Sequence, residues 1–132
     1  MRRQLLPVLL LSLAIACGDG GPTEPPGPVP GVLKVALTTP NADDGALLFT
    51  ISGGHVSAVD AASAAYQVYT AQPDTSTTRV LVTGDIGAGE VVRIHVADTR
   101  SSASYHATIA QAASRTTYAQ RALAGYALAV AP

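Results

Sequence analysis

After residue 31, apolar and polar positions alternate with a period of two in a series of short runs. Val32 to Thr38 places Leu33, Val35 and Leu37 on one face and Lys34, Ala36 and Thr38 on the other. That is the pattern of a half-buried strand. Pro40-Asn41-Ala42-Asp43-Asp44-Gly45 is turn chemistry, with Asp44-Gly45 suited to positive φ. Ala46 to Ser52 is a second strand, with Leu47, Phe49 and Ile51 inward. The two runs predict a hairpin, ended by Gly53-Gly54.

The same alternation returns further on. His55 to Ala65 predicts a brief crossing strand around Val56 and Val59, then a loop. Tyr66 to Ala71 sets Tyr66, Val68 and Thr70 against Gln67 and Tyr69, and Gln72 to Thr78 is a polar loop. Arg79 to Thr83 is a strand with Val80 and Val82 on one face and Leu81 on the other. Gly84 to Glu90 is a glycine-rich connection, read as a β-turn or bulge. Val91 to Ala97 turns Val92, Ile94 and Val96 inward and Arg93 and His95 outward, and Asp98 to Ser102 is a turn. Tyr105, Ala107 and Ile109 share the inner face of the next strand. Gln111 to Tyr118 has no clear period, and Ala119 to Ala124 holds good helix formers over a length marginal for a helix. Tyr126, Leu128 and Val130 point inward from a closing strand.

Short strands separated by turn signals at intervals of about 8–12 residues predict an all-β sandwich. Each sheet has one apolar face, so two sheets must cover each other. The expectation is a single sandwich of about 7–9 strands over residues 32–132. No second copy of any segment is present, so no repeat architecture applies.

The first residues break the pattern. Arg2 and Arg3 precede an uninterrupted apolar run, Leu5 to Ala16, that ends at Cys17, the one cysteine of the chain. The run is shorter than the ~20 residues a transmembrane helix needs. It fits a secretory signal peptide with a small-residue cleavage site, and a helix with few contacts to the sandwich is expected there. Leu13-Ala14-Ile15-Ala16-Cys17 resembles the lipobox of bacterial lipoproteins, with Ala14 where the family prefers leucine. The resemblance implies cleavage before Cys17, diacylglycerol on its sulfur and usually an acyl chain on its amine. Each buried methylene adds about 0.8 kcal/mol of membrane affinity, so two or three chains hold a protein on a leaflet. Arg2-Arg3-Gln4-Leu5-Leu6 also resembles a twin-arginine signal, but the short, very apolar leader favours general secretion. Gly18 at mature position two implies the outer membrane by the same family resemblance.

Residues 17–31 form a Gly/Pro-rich stretch in which proline removes donors and glycine opposes ordering. This is the expected tether between lipid and domain, biased to extended polyproline conformation. The organisation expected is therefore a signal peptide over 1–16, a tether over 17–31 and a sandwich over 32–132.

Charge and chemistry narrow the function. Of eight basic residues, Arg2 and Arg3 leave with the signal, so six face nine acidic ones and the mature chain carries about −3. The six are dispersed, which sets nucleic-acid binding aside. Past Cys17 there is no cysteine for an intrachain disulfide, so an exported domain relies on its apolar core.

Nucleophilic catalysis needs a nucleophile, a base and an orienting group in contact. The candidate bases are His55, His95 and His106, and no Gly-x-Ser-x-Gly elbow accompanies them. His95 and His106 face outward on strands that would be metal-ligand partners if adjacent, but a third ligand is lacking; surface histidines are expected. Asn41 to Gly45 departs from a calcium loop, with glycine one place early and Ser52 at the twelfth position. Weak calcium binding there with Asp60 or Asp98 stays open. Gly84-Asp85-Ile86-Gly87-Ala88-Gly89 lacks the lysine and helix of a phosphate loop. Tyr66, Tyr69, Tyr105, Tyr118 and Tyr126 are the aromatic supply, with core or interface roles expected. A sugar-stacking platform would need exposed, coplanar tyrosines.

The strands Val32 to Thr38 and Ala46 to Ser52, with Arg79 to Asp85 and Gly89 to Ile94, loosely resemble cohesin-like and immunoglobulin-like domains of bacterial surface proteins. Such families bind protein modules or glycans through a sheet face or loop ends. The resemblance implies a non-enzymatic envelope lipoprotein, anchored at Cys17, whose sandwich binds a protein partner, or alternatively a glycan. A small hydrolase is the third reading. No cofactor and no metal are expected.

Overall fold

The structure is a computed structural model that describes residues 26–132. The expected signal peptide, Cys17 and most of the expected tether lie outside the described residues, and so does the helix expected over Leu5 to Ala16. Eight strands follow: β1 Gly31–Thr38, β2 Asp44–Ser52, β3 Val56–Ala61, β4 Gln67–Asp74, β5 Thr77–Ile86, β6 Gly89–Val96, β7 His106–Ser114 and β8 Ala127–Ala131. A short 3-10 helix, Thr99–Ser104, is capped by Asp98, whose side chain accepts from the Arg100 N–H.

Two antiparallel sheets of four face each other, in the orders β3-β6-β1-β8 and β4-β5-β2-β7. This is the expected β-sandwich. The alternation reads out directly: Leu33, Val35, Leu37, Leu47, Phe49, Ile51, Val80, Val82, Val92 and Ile94 are all buried between the sheets. Burying each such side chain contributes about 1.5–3 kcal/mol. Tyr66, Val68, Ile109, Tyr126, Leu128 and Val130 pack against this core from the margins.

The expected β1–β2 hairpin does not form. β1 pairs with β6 and β8, whereas β2 pairs with β5 and β7 in the opposite sheet. The β1–β2 segment crosses between layers, and Gly45 lies within β2 rather than at a positive-φ turn. Among the described strands, β4–β5 alone joins sequence neighbours within one sheet. Its turn is shorter than the expected polar loop, because β4 runs to Asp74 and β5 starts at Thr77.

β5 also continues into the glycine-rich connection. Asp44 pairs with Ile86 and Ala46 with Thr83, so Gly84 and Asp85 oppose Gly45 in a bulge. Gly84 has φ +140, and a Cβ there would lie 2.6 Å from the Ala65 carbonyl oxygen. A second irregularity leaves Val91 unpaired between Val92 and Glu90. Val91 and Val92 therefore both enter the core, against strict alternation. No helix forms over Ala119 to Ala124. Gln120 instead bridges to Ala113, and Arg121 N–H donates to Ala112 O at 2.7 Å.

Candidate functional site

The two outer faces of the sandwich differ in chemistry. On the β3-β6-β1-β8 sheet, Asp60 pairs with Arg93 and Arg93 with Lys34 in cross-strand register, giving a charged row. Arg93 also holds Glu90 at 2.9 Å. His95 Nε2 lies 2.6 Å from Asp60 Oδ2, on the exposed side.

On the β4-β5-β2-β7 sheet the row is apolar. Tyr69 pairs with Leu81, Leu81 with Leu48, and Leu48 with Gln111. Their neighbours in sequence point into the core, so these side chains face outward. Tyr69 is 56% exposed. Shallow depressions follow the row: one of about 220 Å³ between Tyr69, Leu48, Leu81 and Arg79, and one of about 390 Å³ between Leu48, Leu81, Gln111 and Tyr118.

Tyr118 closes this surface. It is 85% exposed and adopts a left-handed backbone with φ 57. For a residue other than glycine this costs on the order of 1–3 kcal/mol and needs outside support. Ser114 supplies it. Its hydroxyl oxygen accepts from the Thr116 and Thr117 N–H groups at 3.2 and 3.3 Å, and its carbonyl accepts from the Tyr118 N–H at 3.1 Å. Beside Tyr118 a third depression, of about 640 Å³, has Gly45, Ala46 and Gly84 among its lining residues. Asp85 and Arg115 line it too, and pair at 2.9 Å.

The loop that carries Tyr118 is tied to the β1–β2 crossing. Asp44 is 1% exposed. Its Oδ1 accepts from Tyr126 Oη at 2.6 Å and its Oδ2 from Thr39 Oγ1 at 2.7 Å. Arg121 Nε stands 3.4 Å from Asp44 Oδ1, and its other end pairs with Asp43. Partial burial pushes the Asp43 carboxyl up, but the Thr116 hydroxyl and the Arg121 charge outweigh it, and the net shift is downward. Desolvation and the Asp44 hydrogen bond push the Tyr126 phenol up.

The residues weighed from sequence fall as follows. His95 and His106 are not neighbours, because β6 and β7 belong to opposite sheets, so the metal pair considered for them does not form. His55 Nδ1 is 3.2 Å from Thr75 O. Ser57 Oγ, on the strand that carries Asp60, donates to the His95 carbonyl rather than standing as a nucleophile. His106 shares a groove with Ser102, and no carboxylate lines it. Asp43 and Asp44 turn toward Arg121 instead of forming an open calcium loop with Asp60 or Asp98, and among the described residues no three metal-ligating side chains converge. Three tyrosines, Tyr66, Tyr105 and Tyr126, pack in or against the core; Tyr69 and Tyr118 are exposed on one side of the molecule. Alternation sets Leu81 opposite Val80 and Val82, and Leu48 opposite Leu47 and Phe49, but only sheet register brings them into one row with Tyr69.

No protein-family model, no curated protein and no solved structure matches the chain.

Proposed function

We propose that this protein is a non-catalytic envelope lipoprotein, held by lipid on Cys17, which presents its sandwich for protein binding or assembly. The apolar outer face of β4-β5-β2-β7 is the binding surface. One observation carries this: Tyr69, Leu81 and Leu48 lie in one cross-strand row facing solvent, while the equivalent face of the other sheet carries Asp60, Arg93 and Lys34. A soluble sandwich needs no such stripe, and aromatic and apolar side chains are what protein interfaces bury at their centres. The strand order departs from that of immunoglobulin domains. Immunoglobulin domains keep the first strand beside the second; here β1 lies beside β6.

Two measurements test the reading. Palmitate-analogue labelling of cells should mark the native protein and not Cys17→Ser; equal label on both, or on neither, refutes the anchor. Capture from envelope extract should recover a protein with the native chain and lose it with Leu48→Asp plus Leu81→Asp. Capture unchanged by that pair of substitutions refutes the face.

A glycan is the second reading, favoured by the exposed Tyr69 and Tyr118 rings with Gln111, Gln120 and the Asp85–Arg115 pair nearby. Glycan-array binding lost in Tyr118→Ala, with no protein captured, would replace the first reading by this one.

A further inference from the structure

Arg79 differs from the other described arginines. Arg93 meets Glu90, Arg100 meets Asp98, Arg115 meets Asp85 and Arg121 meets Asp43. Among the described residues Arg79 has no such partner. It is exposed on β5, in the row next to Tyr69–Leu81–Leu48. Its cross-strand neighbours, Ala71 and Thr50, carry no charge. Asp74, one row further on, is turned to the N–H and hydroxyl of Ser76 at 2.9 and 3.1 Å.

Tyr69 leans away from Arg79, because its hydroxyl donates to Gln67 Oε1 at 2.9 Å. The depression of about 220 Å³ lies between them, with Leu48 and Leu81 as its apolar walls. Small-molecule pockets run to about 300–1,000 Å³, so this one takes a single side chain.

We propose that the partner of this face is a protein segment that sets an apolar side chain into this depression and an aspartate or glutamate against Arg79. The proposal rests on the reading of this face as a protein-binding surface and names what it recognises. Charge complementarity selects the occupant. Three rows cross the four strands, from Gln67 to Ala113, from Tyr69 to Gln111 and from Ala71 to Thr108, and Arg79 is their one charged residue. A basic segment would meet like charge. A wholly apolar segment would bury the guanidinium without a counter-charge, which is costly. A carboxylate receives two of the guanidinium's forked donors in parallel. Tyrosine and arginine are also enriched among the residues that dominate interface energies, and here they share one depression.

Selection from a random-peptide phage library against the full chain, purified in detergent, tests this. Selected peptides are synthesised and their affinities measured by fluorescence polarisation. The expected sequences carry aspartate or glutamate beside an aromatic or aliphatic residue. Their binding should weaken about tenfold or more in Arg79→Gln, and exchanging the acid for lysine should restore binding to Arg79→Glu. Peptides lost on Leu48→Asp plus Leu81→Asp but not on Arg79→Gln overturn the acidic partner and leave the face standing. Peptides indifferent to both changes, or no selected peptide, overturn both the acidic partner and the face. Binding of polygalacturonate that is lost in Arg79→Gln, with no peptide selected, overturns the protein partner in favour of an acidic sugar.

Discussion

The Tyr126 hydroxyl donates to Asp44 Oδ1 at 2.6 Å, joining the start of β2 to the residue before β8 across 82 positions of sequence. Asp44 also accepts from Thr39, and Arg121 stands beside it. One buried carboxylate thus fastens the β1–β2 crossing, the segment after β7 and the entry to β8.

Removing that carboxylate should destabilise the fold through its two hydroxyl donors. Asp44→Ala leaves the Thr39 and Tyr126 hydroxyls without their charged acceptor while Arg121 keeps Asp43, and losing hydrogen bonds to a charged group costs about 1.5–3 kcal/mol each. Tyr126→Phe removes one hydrogen bond to a charged acceptor and costs about 1.5–3 kcal/mol. Urea unfolding of the single and double variants checks both. The double variant should fall short of the sum, because the two side chains share one interaction.

Inner and outer apolar residues of β2 and β5 should respond differently. Phe49 is fully buried, so Phe49→Ala should cost about 3–5 kcal/mol through the lost contacts and the cavity left behind. Leu48→Ala and Leu81→Ala remove outward side chains and should each cost less than about 1 kcal/mol. Equal losses at Phe49 and Leu81 would mean that the face assignment is wrong.

Gly53 should not tolerate a side chain. Its φ is +97, and a Cβ would overlap the Ser104 carbonyl oxygen. Gly53→Ala should therefore lower the thermal midpoint clearly, by more than the ~1 kcal/mol of a strained turn alone. Gly87 has nothing within 4 Å of a built Cβ. Gly87→Ala should leave the midpoint nearly unchanged, and thermal melts of the pair make the comparison.

Asp98 should titrate early. The Arg100 side chain and the Val29 N–H hold its carboxyl at about 2, below the ordinary 3.8. A depressed folded value means that its stabilisation is complete above the ordinary value and fades as pH falls toward about 2. Carboxyl-carbon NMR should place the Asp98 midpoint near that value. The stability difference between the native chain and Asp98→Asn should be constant at neutral pH and shrink only on acidification through that window.

Much of the fold was legible because period two records which face a residue occupies. Phe49 and Ile94 were assigned inward by that rule alone, Leu33 and Val82 were assigned to one face with their buried neighbours, and all four lie in the core. The same rule says nothing about neighbours. β1 and β2 looked like a hairpin because turn residues lie between them, yet a crossing between layers uses the same residues. Val91 was missed because a bulge suspends alternation locally. Asp44 was misread because a carboxylate next to Gly45 resembles a solvated turn, and its cation, Arg121, is remote in sequence. In the candidate site, Leu81 and Tyr69 were legible as lying opposite their valine neighbours, but their alignment depends on register. Tyr118 sits where no period exists, so its exposure follows from Ser114 and from no pattern in the chain.

β1 is an interior strand, flanked by β6 and β8. During synthesis its first neighbour emerges only with residues 89–96 and its second with residues 127–131. A chain short of residue 89 therefore leaves β1 without a partner, and β1 is flanked on both sides only once residues 127–131 are present. Removing residues 127–131 would accordingly turn the interior strand β1 into an open edge.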